Sequence, residues 1–319
     1  METAFTKLVG CRVPLQQAGM GGTATPELAA AVTAAGGLGT LASPVVSAAA
    51  ATAALDVVES RTSGPVGYNF LVPFLDLDAV IVAASRARVV EFFYGDPDAA
   101  LVALVHEQHA LACWQVGSVS EAAMAADAGC DFVVAQGVEA GGHVRGEIGL
   151  LVLLDQVLAA IDVPVVAAGG IGSARAMAAV LAAGAAGARV GTRFVVAEEA
   201  DAHPAYVDAL IAAEPEDTVV TTTFSVEWPD APHRVLQSCI DAAEAMPGDP
   251  AGHIELDDGR RLGVPRRSVL PPGRHTTGAV GAMAQYAGQS VGSVRARQPA
   301  GDIVRELAGG AERLLARLG

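Results

Sequence analysis

The chain has 319 residues, 52% hydrophobic but only 4% aromatic, and is rich in alanine, valine and glycine. That length accommodates one large α/β barrel with an appended segment, or two ordinary domains, and small aliphatics suit tightly packed parallel strands covered by helices. A formal charge of −15 excludes the cationic footprint on which non-specific nucleic-acid binding depends and disfavours a polybasic membrane patch.

Met1–Gly10 has no basic segment followed by an apolar stretch, and later apolar runs are broken by Gly, Pro or charge, so neither a signal peptide nor a membrane-spanning helix is expected. Cys11, Cys113, Cys130 and Cys239 are scattered without metal-ligand spacing, which suggests reduced thiols in a cytoplasmic protein. In chain order, short apolar runs at Val13–Gln17, Leu38–Ala42, Val66–Phe70, Val89–Phe93, Leu111–Val116, Phe132–Ala135, Val163–Ala168 and Ala188–Val190 read as strands, each followed by an alanine-rich helical stretch. Eight such units is the number that closes a parallel barrel, so the expected class is α/β with a TIM (β/α)8 barrel. Helix starts are expected at Thr25-Pro26, Ser120-Glu121 and Ser173, and stops at Gly36-Gly37, Gly129 and Gly184. The pattern lapses after Ala213. The expected organisation is therefore a barrel over 1–213, an insertion or cap over 214–272, and C-terminal helices over 273–319 that complete the barrel, with helical periodicity at Thr277–Gly288 and Ile303–Leu318.

Barrels hold their chemistry at the strand ends. The turns Gly169-Gly170-Ile171-Gly172 and Gly191-Thr192 follow the seventh and eighth candidate strands, where paired loops commonly bind phosphate; either turn alone would read as a tight βα connection. His143 lies in the glycine-rich stretch Gly137-Val138-Glu139-Ala140-Gly141-Gly142-His143, where an imidazole could exchange a proton or merely tie down the loop. Glu139 could orient it, though a solvated charge is the preferred reading. Asn69, Gln115 and Gln136 place amides in otherwise apolar runs on three strands, each needing a partner, and together they could line a cavity for a polar heterocycle. Gly19 and Met20, after the first strand, would let a flat ligand approach the main chain. Arg193 could screen a phosphate or pair with Glu198 or Glu199, the ion pair being the preferred reading, and His203-Pro204 reads as a helix start.

Gln17-Ala18-Gly19-Met20-Gly21-Gly22, Gly67-Tyr68-Asn69, Ala135–His143, Ala168-Gly169-Gly170-Ile171 and Gly191-Thr192-Arg193-Phe194, in this order, closely resemble the nitronate monooxygenase family, formerly called 2-nitropropane dioxygenases. The likeness runs from about Val13 to Tyr206 and includes Ala287-Gly288-Gln289. It implies non-covalent FMN with its phosphate at Gly169, Gly170, Gly191 and Thr192 and its ring near Gly19, Met20, Asn69, Gln115 and Gln136, with Gly142 also among the cofactor-binding residues. It also implies His143 as the active-site histidine, which takes the α-proton of a nitroalkane or holds the nitronate near flavin N5, and oxidation of the nitronate by dioxygen to a carbonyl compound and nitrite. The family more often has proline at the position of Gly19, and the 214–270 region matches poorly. A rival implication is an NAD(P)H-dependent FMN reductase of the enoyl-acyl-carrier-protein or quinone type, which shares a similar Glu-Ala-Gly-Gly-His element. The expected partners are a small nitronate and dioxygen, with no nucleic acid and no membrane. A homodimer is allowed for, with nothing in the sequence to fix it.

Overall fold

The computed structural model describes residues 1–42, 47–255 and 259–317. Along the chain run Leu15–Gln17 (β1), Gly39–Ala42 (β2), Val66–Leu71 (β3), Val89–Phe93 (β4), Leu111–Val116 (β5), Phe132–Gln136 (β6), the two-residue strand Gly142–His143 (β7), Val165–Ala168 (β8) and Gly187–Val190 (β9). All except β7 pair in parallel in the order β1-β9-β8-β6-β5-β4-β3-β2, and a parallel bridge between Gln16 and Leu38 joins the two ends. The result is the eight-stranded TIM barrel expected from the strand count. Both faces of these strands are covered, which is why they read as unbroken apolar runs rather than alternating ones.

Local signals set the connections. Thr25 Oγ1 accepts from the Leu28 amide ahead of a helix with Pro26 at its first position, and Gly36 ends that helix in the left-handed region. Gly129 and Gly184 also have positive φ at helix ends. The start expected at Ser120 lies two residues earlier: Ser118 caps helix Val119–Asp127 by accepting from the Glu121 amide, so the three-residue cap spacing, rather than the Ser-Glu neighbour pair, marks the boundary.

The last helix, Ala300–Leu315, buries Ile303, Val304, Leu307 and Ala311 at helical spacing and packs against helices Ala174–Ala182 and Pro26–Ala35. It thereby clads the seam between the last and first strands. Leu318, at the end of the periodic run, lies outside the described residues. Thr277–Gly288 is not a helix. Thr276–Gly278 is the edge strand of a small antiparallel sheet with Gly252–Glu255 and Arg261–Val264, followed by a single 3-10 turn, so pairing of a β-branched segment prevails over its periodicity.

The segment after the barrel strands has its own apolar cluster, including Phe224, Val235, Cys239, Ile240 and Ala284. It also carries a sheet of Thr218–Thr221 (β10), His233–Leu236 (β11) and β7, in which His143 pairs with His233 and Gly142 with Arg234. The loop that bears His143 is therefore also a strand of the cap. Among the described residues no helix is long and apolar enough to cross a membrane.

Candidate active site

A cavity of about 370 Å³ opens at the C-terminal ends of the barrel strands. Every site residue expected from the sequence borders it: Gly19 and Met20 after β1, Asn69 in β3, Gln115 in β5, Gln136 in β6, Gly142 and His143 in β7, Gly169 and Gly170 after β8, and Gly191 and Thr192 after β9.

Gly169 and Gly170 are consecutive left-handed residues, with φ of 106° and 68°, a turn that side chains rarely adopt. Ser173 then caps helix Ala174–Ala182. Backbone N–H groups at such a turn and helix start attract an anion. The Thr192 hydroxyl oxygen accepts from the Gly288 amide at 3.0 Å, which leaves its proton free to donate. Gly288 in turn packs on Gly141, where an added Cβ would come within 2.4 Å of the Gly288 nitrogen. This close approach accounts for the late Ala287-Gly288-Gln289 element.

The three amides differ. Asn69 has its partner within the protein, since Nδ2 donates to Glu91 Oε1 at 2.7 Å. Gln136 Nε2 donates to the His143 carbonyl at 3.1 Å, and its Oε1 is buried without a partner. The reversed amide would set two acceptors against each other, so the orientation is determined. The Gln115 side chain has no hydrogen-bond partner among the described residues, although the residue is 95% buried.

Beneath the cavity lies a charged group that sequence reasoning missed. Glu91, wholly buried on β4, binds Arg189 of β9, Asn69 and, at 2.9 Å, Gln16 Nε2. Arg189 borders the cavity. A Glu inside Val-Val-Glu-Phe-Phe and an Arg inside Gly-Ala-Arg-Val were the available signals: a charge in a strand covered on both faces must find a partner there.

His143 is stacked on Trp228, with ring centroids 4.2 Å apart, and surrounded by Tyr94, Tyr286 and His233. Its Nε2 is buried and unpartnered. Burial, aided by the neighbouring His233, pushes the imidazole pKa down to about 3, so at neutral pH the ring is uncharged and able to accept a proton. Glu139 neither orients this ring nor remains a solvated charge. Both its oxygens accept from the Leu150 amide, at 2.9 and 3.0 Å, capping a helix whose own cap residue is Gly149. Arg193 pairs with Glu306 of the last helix rather than with Glu198 or Glu199, and so ties the short helix Thr192–Val195 after β9 to the last helix. His203 does open helix Pro204–Ala212. The cap adds Glu227, Trp228, Val269, Leu270 and Pro271 to the cavity wall. Trp228 stood out in the sequence only as one of two tryptophans. No cluster of side chains among the described residues could hold a metal ion.

Comparison with known proteins agrees with this architecture. The nitronate monooxygenase family model matches residues 2–80 and 76–310. A (3aS,4S,5R,7aS)-5-hydroxy-7a-methyl-1-oxo-octahydro-1H-indene-4-carboxyl-CoA dehydrogenase of Rhodococcus jostii is 36% identical over 75% of this chain and 66% of its own length, so the chain spans just under two thirds of that relative. A probable nitronate monooxygenase of Staphylococcus saprophyticus is 31% identical over 70% of this chain and 77% of its own. Nitroalkane oxidase from Streptomyces ansochromogenes superposes with a TM-score of 0.81 at 30% identity, covering 99% of this chain and 100% of that one. FabK from Thermotoga maritima gives 0.80 at 28% identity, covering 100% and 98%. With the family model spanning nearly the whole barrel and cap, the chain belongs to the nitronate monooxygenase family and is an oxidoreductase.

Proposed function

We propose that this chain is a cytoplasmic FMN-dependent nitronate monooxygenase, oxidising a small nitronate with dioxygen to a carbonyl compound and nitrite. The observation that carries this reading is the pair of buried, unpartnered polar atoms, His143 Nε2 and Gln136 Oε1, in residues bordering one cavity. Leaving such atoms unpaired is costly, and a ligand offering N–H or acidic C–H groups would satisfy them.

The donor set suits a flavin phosphate. Gly169, Gly170, Gly191 and Thr192 would hold the phosphate, while Gly19, Met20, Asn69, Gln115, Gln136 and Gly142 would surround the ring. Bound there, FMN would supply the electron transfer from the nitronate and onward to dioxygen. His143 would remove the α-proton of a neutral nitroalkane through Nε2; burial keeps the imidazole uncharged and so able to accept a proton, while also weakening it as a base. The Glu91–Arg189 pair would hold Asn69 in place, and Phe74, Trp228, Val269 and Leu270 would keep water from the reacting atoms.

A second reading, an FMN oxidoreductase that uses a pyridine nucleotide or a thioester, is favoured by the 36% identity to a protein named as a CoA dehydrogenase. Anaerobic stopped-flow mixing with propionate 3-nitronate, and in parallel with NADH, NADPH and an acyl thioester, separates the two. The proposal expects flavin reduction by the nitronate alone. Bleaching by a nucleotide or thioester without reduction by the nitronate would replace it with the second reading. His143→Asn is expected to keep its flavin and to lose roughly a hundredfold or more of the activity on neutral nitroalkanes; full activity would remove the base assignment.

A further inference from the structure

Of the three side chains from beyond the barrel strands that pack on the proposed base, Trp228, His233 and Tyr286, Trp228 lies nearest. Trp228, 8% exposed, lies nearly parallel to His143, at 26° and 4.2 Å between centroids. Phe74, in the 3-10 turn after β3, meets the indole edge-on at 5.1 Å, and Tyr94, after β4, does so at 4.5 Å. Tyr94 also sets its edge against His143 at 5.8 Å. Its backbone is left-handed, with φ of 66°, a conformation that strains a bulky residue and persists only where the surroundings enforce it. Two hydrogen bonds fix the turn that bears Trp228, since Glu227 accepts from Ser268 Oγ and from the Val269 amide, both at 2.8 Å.

We propose that Trp228 is a positioning residue for His143: clamped between Phe74 and the strained Tyr94, its indole fixes the imidazole plane, seals that face from water and leaves Nε2 turned to the cavity. The inference builds on the base role proposed for His143, but its physical content, a ring held dry by the cap, can be measured separately. The other titratable groups around the imidazole do not replace this effect. His233 on β11 uses Nδ1 toward the Ala231 carbonyl, and its Nε2 accepts from the Phe224 amide. Tyr286 donates to the Val269 carbonyl. The Glu227 carboxylate is occupied as described, and Arg145, 5.9 Å from the Tyr94 ring centre, is paired with Glu121 and Asp96. His233 adds to the lowering of the His143 pKa, but burial is the larger cause, and it is burial that Trp228 maintains.

The test is an NMR titration of the 15N-histidine-labelled, flavin-loaded protein. In the unsubstituted chain the His143 imidazole should stay neutral from about pH 8 down to about pH 5. In Trp228→Ala its midpoint should rise toward the ordinary 6.5, whereas Trp228→Phe, which keeps a flat apolar face, should restore the neutral ring. Should Trp228→Ala not fold, Phe74→Ala removes only the outer brace and should move the midpoint the same way by less. An imidazole that stays neutral in both alanine variants, or a Phe variant that titrates like the Ala one, overturns the proposal. Activity separates the two layers of the argument. With a midpoint near 6.5, kcat/KM of Trp228→Ala for a nitroalkane should fall about tenfold between pH 7.5 and 5.5. An imidazole that titrates without that loss would refute His143 as the base and leave the clamp standing.

Discussion

Substitution of Glu91 tests whether the floor of the cavity is built on charge pairing. The carboxylate has no solvent exposure and takes hydrogen bonds from Arg189, Asn69 and Gln16. In Glu91→Gln the shape survives, but one acceptor becomes an NH2 facing a donor, and the Arg189 guanidinium is left buried without a counter-charge. Breaking a buried pair in this way costs about 3–5 kcal/mol, a large share of the roughly 5–15 kcal/mol by which a folded domain is stable. Urea unfolding followed by tryptophan and flavin fluorescence should therefore show a much lower midpoint with an unchanged slope. The double variant Glu91→Leu with Arg189→Leu removes both charges, and should recover much of the loss because no ion remains unpaired. It should not recover all of it, since Asn69 and Gln16 keep donors without acceptors. A Glu91→Gln protein within about 1 kcal/mol of the original, or a double variant as unstable as the sum of its singles, would refute the reasoning.

Three further outcomes follow from the site. Gly170→Asp should purify colourless, because a carboxylate on a left-handed turn beside the proposed phosphate cradle adds both strain and repulsion; the flavin-to-protein absorbance ratio checks it, and full loading contradicts it. Gly19→Ala would bring a Cβ within 2.6 Å of Asn69 Cβ, so a loss of about 1–3 kcal/mol and a lower flavin content are expected. Asn69→Ala should not rescue that variant, since the offending Cβ remains, whereas Asn69→Gly should. Finally, the folded His143 titrates near 3 and the unfolded one near 6.5, so between those values the unfolded chain binds the extra proton and stability falls as pH drops. By pH 5 this amounts to at most about 2 kcal/mol, and His143→Asn should lose that much less than the original chain between pH 7 and pH 5 in matched unfolding curves. Equal acid sensitivity would mean that His143 is not held neutral.

The barrel was legible because its rules are local. An unbroken apolar run, a glycine at its end and a capped alanine-rich helix each identify themselves within a dozen residues, and the eight strands lie where those runs lie. The glycine turns and the amides were legible for the same reason, since a Gly-Gly after a strand or an amide within one is odd in place. What stayed hidden were pairings between distant positions. Glu91 and Arg189 are 98 residues apart, Arg193 reaches Glu306 across 113, and Glu139 caps a helix 11 residues on because Gly149 cannot cap it with a side chain. In each case the residue signalled that it needed a partner, while the partner's identity depended on the closed barrel.

The cap was illegible for a different reason, and that reason bears on how the site is divided. β7 is two residues long and exists only because Arg234-His233 pairs with it, so no periodicity within 137–149 could announce it. That pairing places His143 on a cap sheet while its neighbour Gln136 remains a barrel residue, joined to it by a hydrogen bond to the His143 carbonyl. The glycine cradle and the charged floor belong to the barrel, whereas three of the groups packed around the imidazole, Trp228, His233 and Tyr286, come from the chain beyond the barrel strands, and the fourth, Tyr94, follows β4. On the proposed function, retention of the flavin and the state of the base would be set largely by separate elements, which meet at the backbone of residues 141–143. Substitutions in the cradle should change flavin content first, and substitutions around Trp228 should change the pH response first; a cap variant that lost flavin without altering that response would show that the two layers are not separable.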